Sequence, residues 1–143
     1  MKQRIFILFL IIIVALISGC GQQATPAPAI SANSEIDLAT LPALLDPATV
    51  NQLRERADVL LIDVREQAEY NEGHIPGITL IPMGEIPGRL AEIPKDKTVV
   101  VTCRSGNRSS QVASYLQQQG FTNIHDLQGG IVAWQQAGLP VER

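Results

Sequence analysis

Two short apolar runs constrain this chain more than any other feature. Val59-Leu60-Leu61-Ile62 leads directly into Asp63, and Thr98–Thr102 reads TVVVT, β-branched throughout. Branching at Cβ favours an extended backbone and a pleated, packed surface. A strand with one wet face alternates apolar and polar residues, and these runs offer no polar face. Each must be covered on both sides, as inner strands of a parallel sheet are when helices flank it. The neighbouring segments fit that demand. Asp46-Pro47 opens a helical stretch, Asp46 as N-cap and Pro47 in the first turn, with Val50 and Leu53 on one face. Residues 79–81 read as a short strand and residues 86–93 as a short helix. A further helix is expected over residues 109–119, ended by Gly120 as a left-handed cap. Residues 124–127 read as a last strand and residues 130–137 as a last helix, closed by Gly138 and Pro140. Strands alternating with helices predict an α/β fold, an open, mainly parallel sheet with helices on both faces. Some hundred residues suffice for such a core without metal or disulfide.

The N-terminus has a different texture. Residues 5–17 are unbroken apolar side chains preceded by Lys2 and Arg4. A bilayer-spanning helix needs about 20 such residues, so the run is short for a permanent span and reads as an export signal. It closes on Ile17-Ser18-Gly19-Cys20, which resembles the lipobox of bacterial lipoproteins, where the signal is cut before the cysteine and its thiol is lipidated. Residues 1–19 are therefore expected to be a signal peptide and Cys20 a lipidation site. The protein is then an exported, membrane-anchored lipoprotein facing the extracytoplasmic side. An ordinary signal peptide or an uncleaved anchor would place the rest on the same side. Residues 20–40 comprise the lipidated cysteine and a stretch rich in Ala, Gln, Pro, Ser and Thr, a flexible tether whose coil dimension is about 25 Å. Residues 41–143 form the expected folded domain.

Loss of residues 1–19 removes Lys2 and Arg4 and no acid, so the formal charge of −3 becomes −5. The chain has no basic run and only one Trp, two Tyr and three Phe, which argues against nucleic acid as a partner. With Cys20 lipidated, Cys103 is the only thiol left. An exported domain that keeps one free thiol invites a chemical explanation.

That explanation lies in what surrounds Cys103. The TVVVT strand runs straight into Cys103-Arg104-Ser105-Gly106-Asn107-Arg108-Ser109, and a helix follows. Ligands of open parallel sheets bind beyond the carboxyl ends of the strands, where Cys103 lies. Gly106, with Ser105 and Asn107, lets a tight loop turn its N–H groups toward one point. The first turn of the helix adds free N–H groups and partial positive charge, and Arg104 and Arg108 add whole charges. Such a loop favours an anion, and it favours the thiolate of Cys103 over the thiol. Ser109 is read as a helix cap as well.

CRSGNRS, with GHIPG beginning thirty residues earlier and GGIVAW twenty-six residues later, resembles the rhodanese family of sulfurtransferases over roughly residues 45–142. Asp63-Val64-Arg65, Glu69-Tyr70 and Gly73-His74-Ile75-Pro76-Gly77 match its first signature. Gly129-Gly130, Trp134 and Gly138-Leu139-Pro140 match its closing segment. The resemblance implies a rhodanese-like, five-stranded sheet and a persulfide formed on Cys103. Arg104, Ser105, Gly106, Asn107, Arg108 and Ser109 would cradle the terminal sulfur. It implies that Asp63 and Arg65 brace the loop carrying GHIPG, and that His74 serves a turn and packing role. His125 has no motif around it and reads as a strand-end residue, and Trp134 reads as core. No metal or cofactor is expected. The partners implied are a small anionic sulfur donor such as thiosulfate and a thiol or cyanide acceptor.

Protein tyrosine phosphatases and their arsenate-reducing relatives place five residues between a loop cysteine and an arginine. Here four residues separate Cys103 from Arg108, and the next position is Ser109. The shorter loop suits one sulfur atom better than a phosphoryl group with three oxygens. A slow sulfur carrier or docking module stands as the other reading, because single domains of this family also relay and bind.

Overall fold

The structure, a computed structural model, describes residues 36–143. The expected signal peptide and the lipidation of Cys20 lie outside the described residues. A five-stranded, all-parallel sheet runs in the order β1-β5-β4-β2-β3. Its strands are β1 (Leu44–Leu45), β2 (Val59–Asp63), β3 (Thr79–Leu80), β4 (Thr98–Thr102) and β5 (Ile124–Leu127). Four α-helices accompany them: α1 (Pro47–Leu53), α2 (Gln67–Glu72), α3 (Asn107–Gln118) and α4 (Gly130–Gln136).

The two apolar runs pair with each other at the centre, Val59 opposite Thr98 through Asp63 opposite Thr102. Their side chains alternate between two cores, as a period of two requires. Ile62, Val99 and Val101 pack with Val112 and Leu116 of α3 on one face. Val59, Leu61 and Val100 pack with Val50 and Leu53 of α1 and Trp134 of α4 on the other. Each fully buried aliphatic side chain contributes about 1.5–3 kcal/mol, so both faces of the sheet hold it together.

Asp46 caps α1 as expected. Its Oδ1 accepts from the N–H groups of Ala48 and Thr49, both at 3.0 Å. The helix expected over residues 86–93 is instead two 3-10 segments, Met83–Gly88 and Leu90–Glu92. The break falls at Arg89, whose φ is −119°, and Gly88 inside the expected span weakens a regular α-helix there. Residues 36–40, placed in the tether by composition, contain a 3-10 turn capped by Asp37, and Ile36 and Leu38 pack on the core beside Val50 and Trp134. Helix α3 starts at Asn107, two residues before the expected start, with Gly106 as its cap. That early start brings the free N–H groups of the first turn up to Cys103.

Candidate active site

Cys103 is the first residue beyond the carboxyl end of β4, and its side chain joins the core face covered by α3. Gly106 adopts φ +99°, a conformation open to glycine, and so reverses the chain into α3. The reversal aims its N–H at the Cys103 sulfur, with N to Sγ 3.1 Å. The Ser109 hydroxyl lies 3.5 Å from the same sulfur. Burial pushes the Cys103 thiol up. The Ser109 hydroxyl and the amides of Ser109, Ser105 and Gly106 outweigh burial and bring it below its ordinary value. The groups that favour the thiolate are thus neutral dipoles, and the residue is 1% exposed.

The loop is held from behind by α4. The Ile131 N–H donates to Cys103 O at 2.9 Å, and the Val132 N–H donates to Arg104 O at 3.2 Å. In a trans peptide the carbonyl and the next N–H point in opposite directions. Fixing Arg104 O on α4 therefore turns the Ser105 N–H the other way, toward the sulfur. Gly130 makes this approach possible. Its φ is +59°, and a Cβ there would collide with Cys103 O and the Arg104 carbonyl.

The charges are distributed differently from the sequence expectation. Arg104 is exposed and has no ion-pair partner among the described residues. Arg108, expected to supply a whole charge to the loop, is matched by Glu69: Nη1 to Oε2 and Nη2 to Oε1 are each 2.7 Å. Arg108 holds the Glu69 carboxyl down at about 2 despite the opposing effect of burial. Glu69 in turn raises Arg108. Arg65 is buried and forks onto Asp63, with Nη2 to Oδ2 2.6 Å and Nε to Oδ2 2.9 Å. Its remaining donors reach Glu69 O at 3.1 Å and Gly73 O at 2.9 Å, tying the end of β2 to both ends of the turn that leads into GHIPG. A cavity of about 260 Å³ opens beside the loop, lined by Arg65, Glu69, Arg104, Ile131, Val132 and Gln135 among others.

Ser105 on the loop and Asn107 at the start of α3 are exposed, and the Asn107 carbonyl accepts from Ser110 and Gln111 within α3. His74 is buried, stacked on Tyr70 with ring centroids 3.7 Å apart, and its Nδ1 lies 3.0 Å from Tyr70 O. His125 sits inside β5 rather than at its end, with Nδ1 2.7 Å from Pro42 O. Trp134 is fully buried and donates to Pro140 O at 2.8 Å. Two residues that sequence reasoning left without a role stand at the site. Glu69 appeared only as part of a motif, and nothing in its spacing announced Arg108 thirty-nine residues away. Asp126 is buried next to Ser109. Its signal was a lone acid inside a short strand.

Fold and loop together define a class: α/β proteins that present a cysteine sulfur, met by loop N–H groups, at the carboxyl edge of the sheet. Within that class the chain belongs to the rhodanese-like family, whose rhodanese-like domain matches residues 46–137. It is 48% identical over 98 residues to a sulfurtransferase of Allochromatium vinosum, covering 68% of this chain and 92% of that one. It is 34% identical to the thiosulfate sulfurtransferase GlpE of Pseudoalteromonas translucida, over 60% of this chain and 82% of the relative. Among solved structures, a rhodanese-related protein from Thermoplasma volcanium superposes with a TM-score of 0.65 at 32% identity, over 71% of this chain and 98% of that one.

Proposed function

We propose that the protein is a sulfurtransferase that moves sulfane sulfur from a small anionic donor such as thiosulfate to a thiophilic acceptor through a persulfide on Cys103. The observation that carries this reading is the convergence of loop donors on a single sulfur atom, the Gly106 N–H at 3.1 Å and the Ser109 hydroxyl at 3.5 Å, with the Ser105 and Ser109 amides adding to the pull toward thiolate. In the first step the Cys103 thiolate attacks the outer sulfur of thiosulfate. The S–S bond of the donor breaks, sulfite leaves with the electron pair, and Cys103 becomes a persulfide anion. In the second step cyanide or a thiolate attacks the terminal sulfur and Cys103 departs as thiolate. A lowered Cys103 pKa serves both steps, because thiolate is first the nucleophile and then the leaving group. The nearly complete burial of Cys103 favours a donor that offers one sulfur atom, and exposed Arg104 favours an anionic one.

Intact-mass analysis after thiosulfate treatment tests the reading. The native protein should gain the mass of one sulfur atom, removable by cyanide with release of thiocyanate, and Cys103→Ser should gain none. Absence of labile sulfur on the native cysteine overturns it, whereas loading without turnover favours the slow carrier. The same proposal places the reaction outside the cytoplasm on a lipid anchor at Cys20, supported by Lys2, Arg4, the apolar run and Ile17-Ser18-Gly19-Cys20. Labelled palmitate should enter the native chain and not Cys20→Ala. Equal labelling of both defeats the anchor.

A further inference from the structure

Asp126 is a buried acid that the mechanism above leaves unused. It is 5% exposed, and its Oδ1 has no hydrogen-bond partner among the described residues. In the sheet it stands opposite Val101, so its side chain lies on the face covered by α3, the face that also holds Cys103. Ser109, fully buried in the first turn of α3, connects the two. Its hydroxyl is 3.5 Å from Cys103 Sγ and 3.2 Å from Gly106 O, and it also draws the neighbouring Asp126 carboxyl down against the effect of burial.

One hydroxyl proton thus faces three acceptors. An ionised carboxylate is the strongest of them and would capture the proton, leaving the sulfur to the amides alone. A neutral carboxylic acid carries its own O–H and can donate to Ser109 Oγ, which frees the Ser109 proton for the sulfur. The surroundings favour the neutral form. Burial raises the Asp126 carboxyl, and Ser109 offsets only part of that. Among the described residues, the elements around it bring no compensating cation. Beside it in the sheet, β1 supplies Leu44 and β4 supplies Val101. Arg108 of α3 is engaged with Glu69. The titratable neighbours are the Cys103 thiol, beyond Ser109, and His125, which faces the other side of the sheet and bonds Pro42 O.

We propose that Asp126 remains a neutral acid beneath the loop and, by donating to Ser109 Oγ, keeps the Ser109 hydroxyl turned toward the Cys103 sulfur. Asp126 is then a positioning residue, acting on the sulfur through Ser109. The inference rests on the reading of Cys103 as a sulfur nucleophile.

The pH dependence of Cys103 alkylation by iodoacetamide, followed at that residue by peptide mass spectrometry, tests it in the full chain. A hydrogen bond to a charged sulfur is worth about one pH unit in the midpoint. Ser109→Ala should raise the midpoint by about that amount, and Asp126→Ala should match it. Asp126→Asn retains an N–H donor for Ser109 Oγ and should keep the native midpoint. The double variant Ser109→Ala/Asp126→Ala should shift no further than Ser109→Ala alone. A native midpoint in Asp126→Ala overturns the proposal, as does an added shift in the double variant. So does an Asp126→Asn midpoint as displaced as that of Asp126→Ala. Should Asp126→Ala fail to fold, isotope-edited infrared spectroscopy decides: a protonated carboxyl band at neutral pH, absent in Asp126→Asn, is expected, and its absence from the native protein overturns the proposal. Alkylation needs no sulfur donor. Failure to form a persulfide would therefore defeat the transfer reading and leave these midpoints standing.

Discussion

Replacing Glu69 by Gln removes the charge opposite Arg108 while keeping the side-chain shape. The native carboxylate meets both terminal guanidinium nitrogens at 2.7 Å and also accepts from the Glu66 N–H at 3.2 Å, closing the capping box of α2. Its pKa falls from an ordinary 4.5 to about 2. Taken at face value, that difference corresponds to about 3 kcal/mol of stability at neutral pH. The Arg108 and Glu69 side chains are 31% and 27% exposed, so water screens part of it and about 1–2 kcal/mol is expected. The folded pKa lies below the unfolded one. The contribution is therefore complete above the unfolded value of 4.5 and is lost as pH falls toward 2. Urea denaturation of native protein and Glu69→Gln across this range reads it directly. The variant should be about 1–2 kcal/mol less stable near neutrality, and less than half of that gap should remain by about pH 3. A gap that stays constant down to acid pH would show that the loss comes from packing or the helix cap, and would refute the ion-pair reasoning.

Asp63→Asn should cost about 3–5 kcal/mol in urea denaturation, because it strands the Arg65 guanidinium in a buried site. Gly130→Ala should lower thermal stability and raise the alkylation midpoint of Cys103 together, since the new Cβ pushes the Cys103 and Arg104 carbonyls off α4. A midpoint unchanged in that variant would show that α4 does not orient the loop. Asp46→Ala removes a helix cap far from the loop in sequence and should cost about 1 kcal/mol in thermal or urea melts while leaving Cys103 alkylation as in the native protein.

The central strands were legible because their apolar residues must be covered whatever the rest of the chain does. Thr98–Thr102 and Ile124–Leu127 fall where the pattern put them, and the Asp46-Pro47 cap is purely local chemistry. Elements with little burial of their own escaped. Helix α2 contains no buried residue, and β1 is two residues long with Leu44 exposed, so neither carries a periodic signal. At the site, the sequence placed Cys103 and its loop together because they are contiguous. It could not place Glu69 on Arg108 or Asp126 under Ser109. Those contacts depend on strand order and register, which no local pattern encodes.

The long-range contacts change what kind of anion site the loop is. Read along the sequence, Arg104 and Arg108 offer two positive charges beside Cys103. In the fold Arg65 belongs to Asp63 and Arg108 to Glu69, and Arg104 alone is left, on the outside. What meets the sulfur is the Gly106 amide and the Ser109 hydroxyl, with the Ser105 and Ser109 amides also lowering its pKa. Such dipoles are fixed by the backbone, held in turn by α4 and Gly130, and need no rearrangement as charge moves within reach. A dianionic phosphoryl group gains most from whole charges directed at its several oxygens. A sulfur bearing a single negative charge, thiolate before transfer and persulfide after it, asks only for a small neutral cradle. Arg104 at the rim can then draw an anionic donor in without competing for the sulfur once it is bound, and that division of labour separates capture from chemistry.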